Sequence, residues 1–227
     1  MRNRNFDGGQ PFRDHITRYV EKILNAGRRM HDVLWDIKLG INTRKVVSRT
    51  DCISQNKDAI KCCPSPYFRL HQVFNRISID EEDVFADYGC GVGRVVCTAG
   101  RLSFTKVYGI ELYPDIAIIA KKNAQQVRGS KAIIEIIEGD VLNFDCKDVT
   151  VFFFYDPFGA RTMHGVLTLI HDTLLKNPRH IQLVYYGSLP TWETLLDSTS
   201  WLQKRTDLSI RKLTRGRDLV RFYEHTV

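Results

Sequence analysis

The sequence predicts an α/β protein built on a doubly wound, mostly parallel sheet of seven strands, with helices on both faces. Three observations lead to this fold class. From residue 84 onwards, apolar segments with strand character alternate with helical segments. A loop with glycine at every second position joins the first of these strands to the first helix. The last apolar segments, within residues 208–225, form a hairpin around Arg215–Asp218, which predicts an antiparallel edge.

Helical periodicity dominates the first part of the chain. Apolar residues follow helical spacing on one face across residues 11–39, which predicts two helices or one interrupted helix, ending at Gly40. Residues 40–63 are irregular, and a further helix is expected over Tyr67–Ile77. Strands are then expected within residues 83–89, 106–112, 131–140, 149–158 and 180–188, and helices within 93–102, 114–129, 160–175 and 191–198.

The composition is typical of one domain of ordinary size with a small extension. The chain has 227 residues, of which 43% are hydrophobic and 11% aromatic, enough to bury a core. We expect an N-terminal helical extension over residues 1–75 and the core over residues 76–227. No stretch approaches the ~20 apolar residues that cross a bilayer, and residues 1–12 lack the apolar segment of a signal peptide, so a cytoplasmic protein is expected.

Cysteine and charge patterns bear on metals and partners. The six cysteines contain no C-x-x-C pair and no histidine at zinc-finger spacing, which predicts free thiols and no metal site. The formal charge of +7 is uneven, because residues 1–50 carry eleven Lys or Arg against five Asp or Glu. Such a distribution fits an anionic partner, and it fits a solvated basic surface equally well.

The segment "DYGCGVGR" predicts a ligand-binding loop. Gly89, Gly91 and Gly93 can adopt positive φ and expose backbone N–H groups, and the helix that follows near Arg94 directs its positive end at the same space. Asp87, just before the loop, suits a ligand that also carries an ammonium group, so a zwitterionic amino-acid moiety fits both features. The spacing differs from the G-x-G-x-x-G of dinucleotide sites, which disfavours a dinucleotide oxidoreductase.

Two further acidic residues stand at the ends of the next two strands. Glu111 ends the second strand, where a carboxylate accepts hydrogen bonds from both hydroxyls of a ribose. Asp140 ends the third, where it can accept from an exocyclic amine such as that of adenine, while the backbone N–H of Val141 donates to a ring nitrogen. Amino acid, ribose and adenine in this order describe S-adenosylmethionine.

Four segments, "DVFADYGCGVGR", "VYGIEL", "IIEGDVLNF" and "VFFFYDPFG", resemble the successive motifs of the class I S-adenosylmethionine-dependent methyltransferases. The resemblance covers about residues 64–190. More narrowly, "LGINTR", "PSPYF" and "DPFG" resemble a bacterial subgroup with an N-terminal helical segment and a Y-N-P-F-type fourth motif. The resemblance implies these cofactor-binding residues: Ser65, Tyr67, Asp87, Gly89, Gly91, Glu111, Leu112, Asp140, Val141 and Asp156.

Asp156, in "YDPFG", is the expected catalytic residue, because the resemblance implies that it lies beside the transferring methyl group. His164, about one turn into the next helix, is a second candidate. Enzymes that methylate nucleobase or glutamine amines typically carry a second proline here, so "DPFG" argues against base methylation. The subgroup's usual Asn is Asp in this chain, which adds a negative charge near the sulfonium.

The methyl acceptor is not identified by any motif. We expect transfer to an oxygen or nitrogen of a small molecule or glycan, with the N-terminal helices as the acceptor-side cover. The basic pairs Arg28–Arg29 and Arg44–Lys45 suggest an acidic acceptor. A protein-lysine or nucleic-acid methyltransferase is the alternative, although no Lys/Arg run is interleaved with aromatic residues. A non-catalytic S-adenosylmethionine-binding partner subunit is the third reading.

Overall fold

A computed structural model describes residues 10–44, 64–187, 190–211 and 217–226. Predictions for residues 45–63, including Lys45 of the basic pair Arg44–Lys45, and for Arg215 and Gly216 of the terminal turn lie outside these ranges. Within them the seven strands form one sheet, and the predicted fold class is confirmed. Its helices are α1 (Gln10–Leu39), α2 (Tyr67–Phe74), α3 (Arg94–Ala99), α4 (Pro114–Gln126), α5 (Ala160–Lys176) and α6 (Pro190–Asp197). Its strands are β1 (Val84–Tyr88), β2 (Lys106–Glu111), β3 (Ile133–Glu138), β4 (Val151–Tyr155), β5 (Ile181–Gly187), β6 (Gln203–Arg211) and β7 (Arg217–His225).

The strand order β3-β2-β1-β4-β5-β7-β6 explains where a ligand can bind. Strands β1 to β5 are parallel, whereas β7 runs antiparallel to both β5 and β6. From β1 the chain adds strands first on one side (β2, β3) and then on the other (β4, β5), so the strand order reverses between β1 and β4. Open α/β sheets bind ligands at such a switch point, beyond the carboxyl ends of their strands. The loops after β1, β2, β3 and β4, and the end of β5, therefore lie along one edge of the sheet.

The central strands are buried on both faces, as their continuous apolar sequences require. All residues of β5, and all of β1, are buried. Alternate side chains divide between two cores. Phe85 and Phe153 pack on the side of α2 and α3, whereas Phe152 and Phe154 pack on the side of α5. Because successive side chains of a strand point to opposite faces of the sheet, this alternation determines which helical layer each residue at a strand end faces.

Helix α1 is one continuous helix of 30 residues. Gly27 does not interrupt it, since a lone glycine in a helix costs only about 1 kcal/mol. The helix ends as expected at Gly40, whose φ of +73° suits a residue without Cβ. Helix α2 ends at Phe74, earlier than the sequence predicts. None of the helices in the described ranges is long and apolar enough to cross a membrane.

The apolar periodicity of α1 does not mark its packed face. Ile23, Met30 and Leu34 are each about 60% exposed, whereas Asp36, on another side of the helix, is buried at 2%. The physical reason lies in the polar partners described below, which compensate the cost of burying a carboxylate. Charge pairing, and not apolar contact alone, thus determines how this helix docks on the core.

Candidate active site at the carboxyl ends of the parallel strands

The glycine loop adopts the backbone conformation that the sequence predicts. Gly89, Gly91 and Gly93 all have positive φ, of 82°, 54° and 88°. A Cβ on Gly89 would lie 2.8 Å from Cβ of Pro157, so only glycine allows the loop after β1 to touch the loop after β4. The expected cofactor and acceptor segments therefore lie in direct contact.

Glu111 holds this loop in place. Its Oε2 accepts a hydrogen bond from the backbone N–H of Gly91 at 2.9 Å, and its Oε1 accepts one from that of Tyr113 at 3.0 Å. Two carboxylate oxygens offer about four acceptor positions, so this carboxylate can accept from ribose hydroxyls while it fixes the loop. Leu112, the other predicted residue of this strand end, is half-buried.

Asp87 is buried beside Glu111. Burial, and then the charge of Glu111, raise the pKa of Asp87 well above its usual range. Burial also raises the pKa of Glu111, although hydrogen bonds from the backbone of Tyr113, Gly91 and Leu112 oppose this effect. A ligand cation at this place would favour the ionised form of Asp87 and offset the cost of burying it. The electrostatics therefore suit an ammonium group, as the sequence predicts.

Asp140 lies at the end of β3. Its Oδ1 accepts a hydrogen bond from the backbone N–H of Leu142 at 2.9 Å, which caps a single turn of 3₁₀ helix, Val141–Asn143. The cap fixes the carboxylate at the strand end and buries Val141 next to it. The carboxylates of Glu111 and Asp140 thus follow adjacent strands, because β2 pairs with β3 up to Glu111 and Glu138.

Arg94, the first residue of α3, is a functional candidate that sequence reasoning missed. Its side chain is 4% exposed, and its guanidinium donates to Thr43 Oγ1 at 2.6 Å, to Asp32 Oδ2 at 3.0 Å and to the carbonyl of Ser65 at 3.1 Å. It also lies over the ring of Tyr67, 4.6 Å from the centroid. Arg94 therefore links the glycine loop to α1, to the segment after α1 and to the start of α2.

Asp36 completes this network from α1. It accepts from the backbone N–H of Thr43 at 2.8 Å, from the Thr43 hydroxyl at 2.7 Å and from the Tyr67 hydroxyl at 2.6 Å. Burial, and then Asp36, raise the pKa of Tyr67, so its phenol stays protonated and donates. Residues of this network stand in two conspicuous sequence segments, "LGINTR" and the arginine after the glycine loop, but neither segment by itself shows which residues form hydrogen bonds with each other.

Asn123 of α4 joins the same segment to the loop. Its amide donates to the carbonyls of Val92 at 2.8 Å and Asn42 at 3.1 Å, and accepts from the backbone N–H of Asn42 at 3.0 Å. Asn123 is buried at 3%. The glycine loop is thus fixed by strand β2, by α4 and by the segment after α1, and little reorganisation is needed when a ligand binds.

Ser65 provides a direct test of whether the site fits the expected cofactor. Its side chain is buried at 1%, and its Oγ has no hydrogen-bond partner in the described structure. A buried hydroxyl without a partner costs about 1–3 kcal/mol, so an additional polar group next to the start of α3 is expected. An amino-acid carboxylate there would satisfy Ser65, which lies beside Arg94 and the loop. The residues present therefore fit S-adenosylmethionine.

Asp156 follows β4 in a conformation that few residues adopt. Its φ is +38°, and within the described ranges no other residue except glycine has a positive φ. Tyr185 donates a hydrogen bond from its hydroxyl to Asp156 Oδ1, and the backbone N–H of Asp156 donates to the carbonyl of Tyr186 at 3.1 Å. A Cβ on Gly187 would clash with Asp156 Oδ1. Strain of about 1–3 kcal/mol, retained by surrounding contacts, is typical of functional positions.

His164, the second catalytic candidate, and His71 of α2 lie in different environments. His164 is exposed on α5, and its backbone carbonyl accepts from the Thr168 hydroxyl at 2.9 Å. Its catalytic role stays a prediction. His71 packs edge-on against Trp35 at 4.6 Å, and burial lowers its pKa, which indicates a packing residue.

The family model "Histone methylation protein DOT1" matches residues 66–136. Among curated proteins, a ribosomal protein L11 methyltransferase of Lachnospira eligens is 26% identical over 103 residues, which cover 45% of this chain and 32% of the relative. The H3 lysine-79 specific histone-lysine N-methyltransferase of Caenorhabditis elegans is 30% identical over 126 residues, covering 49% of this chain and 13% of the relative. The chain thus spans a third or less of these relatives.

Solved structures share the fold. An RNA methyltransferase of Salinibacter ruber, in complex with S-adenosyl-L-homocysteine, has a TM-score of 0.51 at 22% identity, over 72% of this chain and 94% of that one. A precorrin 8W decarboxylase of Methanobacterium thermoautotrophicum has a TM-score of 0.54 at 21% identity, over 73% and 93%. Two such different reactions on one fold show that the acceptor has to be inferred from the site.

Proposed function

We propose that the chain is a class I S-adenosylmethionine-dependent methyltransferase, as the family model and the two curated relatives support, and that it transfers a methyl group to a nitrogen or oxygen of a small-molecule or glycan acceptor. The observation that carries the proposal is Asp156, held at the tip of β4 by Tyr185 and in the loop that touches Gly89 through Pro157. A nucleophile bound to this carboxylate would lie next to the cofactor loop.

Residues at four strand ends hold the cofactor in this proposal. Asp87 and the glycine loop bind the methionine portion with Ser65, Glu111 binds the ribose, and Asp140 binds the adenine. When bound, S-adenosylmethionine supplies a methyl group that its sulfonium activates towards displacement. The ten cofactor-binding residues named from sequence remain the proposed set, and Arg94 is added as a residue that positions the loop.

Asp156 orients the acceptor in this proposal. Its carboxylate accepts an N–H or O–H from the nucleophile and directs the remaining lone pair at the methyl group. Burial, and then the hydrogen bond to Asp156, raise the pKa of Tyr185, and burial raises that of Tyr186. Both phenols therefore stay protonated and act as donors, so a base, where one is needed, is Asp156.

The N-terminal helices support a compact acceptor. Arg69 of α2 donates to the hydroxyl of Tyr186 at 2.9 Å, and the backbone N–H of Tyr67 donates to Asp32 Oδ1 at 3.1 Å. These contacts hold α1 against α2 and α2 against the end of β5, which supports the proposal that the two helices cover the acceptor side. A covered edge suits a small molecule or a glycan terminus better than a folded macromolecule.

A protein amine is the second candidate acceptor. It is favoured by the family model and by the two curated relatives, whose names specify a histone lysine and a ribosomal protein. The same carboxylate, Asp156, would accept from the amine of a lysine. Nucleic acid is less favoured, since the solved RNA methyltransferase of Salinibacter ruber, at 22% identity, supports only the fold.

Labelled methyl transfer tests the proposal. The protein is incubated with methyl-labelled S-adenosylmethionine and fractionated cell extract, and label is counted in small-molecule, glycan, protein and nucleic-acid fractions. Label in the first two fractions supports the main proposal, and label in protein supports the second candidate. Asp156→Ala should reduce transfer at least about 100-fold with little change in S-adenosylhomocysteine affinity.

Two results would contradict the proposal. Full transfer by Asp156→Ala would show that this carboxylate is not the acceptor contact. Cofactor binding by the wild-type protein without transfer into any fraction would instead support a non-catalytic partner subunit.

A further inference from the structure

The apolar stripe of α1 faces away from the core and is exposed to solvent. Its members recur at alternating steps of three and four residues, the heptad spacing of helices that pair in coiled coils, and we call them the seam: Val20, Ile23, Gly27, Met30, Leu34 and Ile37. The five larger side chains of the seam are between 47% and 64% exposed. At 3.6 residues per turn, the seam lies opposite Asp32, Asp36 and Leu39, which α1 directs at the rest of the protein.

Gly27 leaves a gap in the middle of the seam. It lies inside a continuous helix, where glycine is less favourable than alanine. Its φ is not positive, and a Cβ at this position would meet no atom within 4 Å, so neither the backbone nor packing within the chain requires glycine. Met30, which is 60% exposed, protrudes from the same side one turn further along. A gap and a protruding side chain on one seam are complementary to the same seam of another helix.

The seam is also symmetrical, because its steps of three, four, three, four and three residues read the same in both directions. An antiparallel second copy of α1 therefore forms three kinds of facing pair: Val20 with Ile37, Ile23 with Leu34, and Gly27 with Met30. We propose that α1 pairs in this way with α1 of a second copy of this chain, as an antiparallel two-stranded coiled coil that makes the protein a homodimer. A parallel pair would set the gap at Gly27 against itself, whereas the antiparallel pair fills it with the Met30 side chain.

The flanks of the seam favour a second copy over an acidic partner helix. Charged residues on the flanks of a coiled coil determine its choice of partner. The flanks between Ile23 and Leu34 contain no Lys, Arg, Asp or Glu; their residues are Leu24, Ala26, His31 and Val33. Lys38, at the end of the seam, holds its Nζ over the Trp35 ring of its own helix, 4.4 Å from the centroid. Two copies of this basic chain can therefore approach along the seam without repulsion between like charges.

Sedimentation equilibrium of the 227-residue chain over a range of concentrations tests the dimer. The wild type should associate reversibly to a dimer, and its thermal unfolding temperature should rise with protein concentration. Ile23→Lys should weaken dimerisation by about 100-fold or more, because each dimer loses two apolar contacts and would bury two ammonium groups. Asn25→Lys is the matched control, since it introduces the same charge at an exposed position of α1 outside the seam. It should leave the dimer affinity unchanged.

A pair of opposite charges tests the orientation. Ile23→Glu and Leu34→Lys should each weaken the dimer, but the double variant should dimerise more tightly than either single variant. The two new charges face each other only in the antiparallel pair, whereas a parallel pair would bring like charges together. A double variant weaker than both single variants would therefore overturn the antiparallel arrangement.

Three other results would overturn the dimer itself. The first is a wild type that stays monomeric at all concentrations. The second is equal weakening by Ile23→Lys and Asn25→Lys, in variants whose near-UV circular dichroism matches the wild type. The third is a monomeric wild type that binds phosphatidylserine vesicles through Ile23, which would assign the seam to a membrane surface. The inference does not depend on methyl transfer, so a failure of the proposed function would leave it standing.

Discussion

Removal of the Arg94 side chain should have a large effect on stability and on the cofactor loop. Arg94→Met keeps the aliphatic bulk but deletes the hydrogen bonds to Asp32, Thr43 and Ser65. It also removes the cation that lies 4.0 Å from the carboxylate of Asp36, a residue that is only 2% exposed. Deleting one partner of a buried ion pair costs about 3–5 kcal/mol. Because the Asp32 side chain is 18% exposed, we expect a loss near the lower end, about 3 kcal/mol.

Urea unfolding measures this loss, and a surface ion pair provides the control. Lys106 and Glu135 form a shorter ion pair, 2.8 Å, with side chains 28% and 50% exposed. Glu135→Gln should therefore cost no more than about 1 kcal/mol. A double-mutant cycle of Arg94→Met with Asp32→Asn should give a coupling of about 1.5–3 kcal/mol. A loss for Arg94→Met as small as that for Glu135→Gln would refute the reasoning, since burial rather than distance is taken to decide the magnitude.

Two further predictions concern the loop and its charges. Gly89→Ala would place a Cβ 2.8 Å from Pro157 at a residue whose φ is +82°. It should therefore destabilise the protein by about 1–3 kcal/mol and weaken S-adenosylhomocysteine binding. A variant that matches the wild type in thermal unfolding and in calorimetry would contradict this prediction. Because the pKa of Asp87 is raised in the folded protein, the folded protein binds this proton more tightly than the unfolded chain does. The contribution of protonated Asp87 to stability is therefore full below the ordinary carboxyl pKa, and it is lost as the pH rises through the raised pKa. Binding of S-adenosylhomocysteine should release this proton, so the binding enthalpy measured by calorimetry should depend on the ionisation enthalpy of the buffer. Asp87→Asn should remove that dependence. Proton release that persists in Asp87→Asn would show that another group loses the proton.

Local patterns were sufficient to predict the fold. Strand–helix alternation predicts the sheet, and the predicted fold class is confirmed. The family model and the two curated relatives support the predicted methyltransferase family and its cofactor, whereas the narrower bacterial subgroup stays a prediction. The φ values at Gly89, Gly91 and Gly93 follow from the loop sequence, because few other residues adopt them. Sequence reasoning placed Glu111 and Asp140 at strand ends because each is the acidic residue that directly follows an apolar strand segment, and both accept a local backbone hydrogen bond there, from Tyr113 and Leu142.

Long-range polar contacts were not predictable. The packed face of α1 depends on Asp36, which meets Thr43 seven residues away and Tyr67 thirty-one residues away. Helical periodicity records only where apolar residues fall, so it identified a face whose residues Met30 and Leu34 are exposed. The hydrogen bonds of Arg94 span 29 to 62 positions. Contacts of this kind require the three-dimensional arrangement.

The most direct test of the cofactor site is calorimetric titration of S-adenosylhomocysteine into the wild-type protein and Glu111→Ala. Glu111 is expected to bind the ribose and to fix the loop through Gly91 and Tyr113. We predict binding by the wild type and at least about a 100-fold loss in the variant, since a charge-assisted contact contributes about 1.5–3 kcal/mol and the loop is released as well. Unchanged affinity in Glu111→Ala would contradict the assignment of these strand ends as the cofactor site.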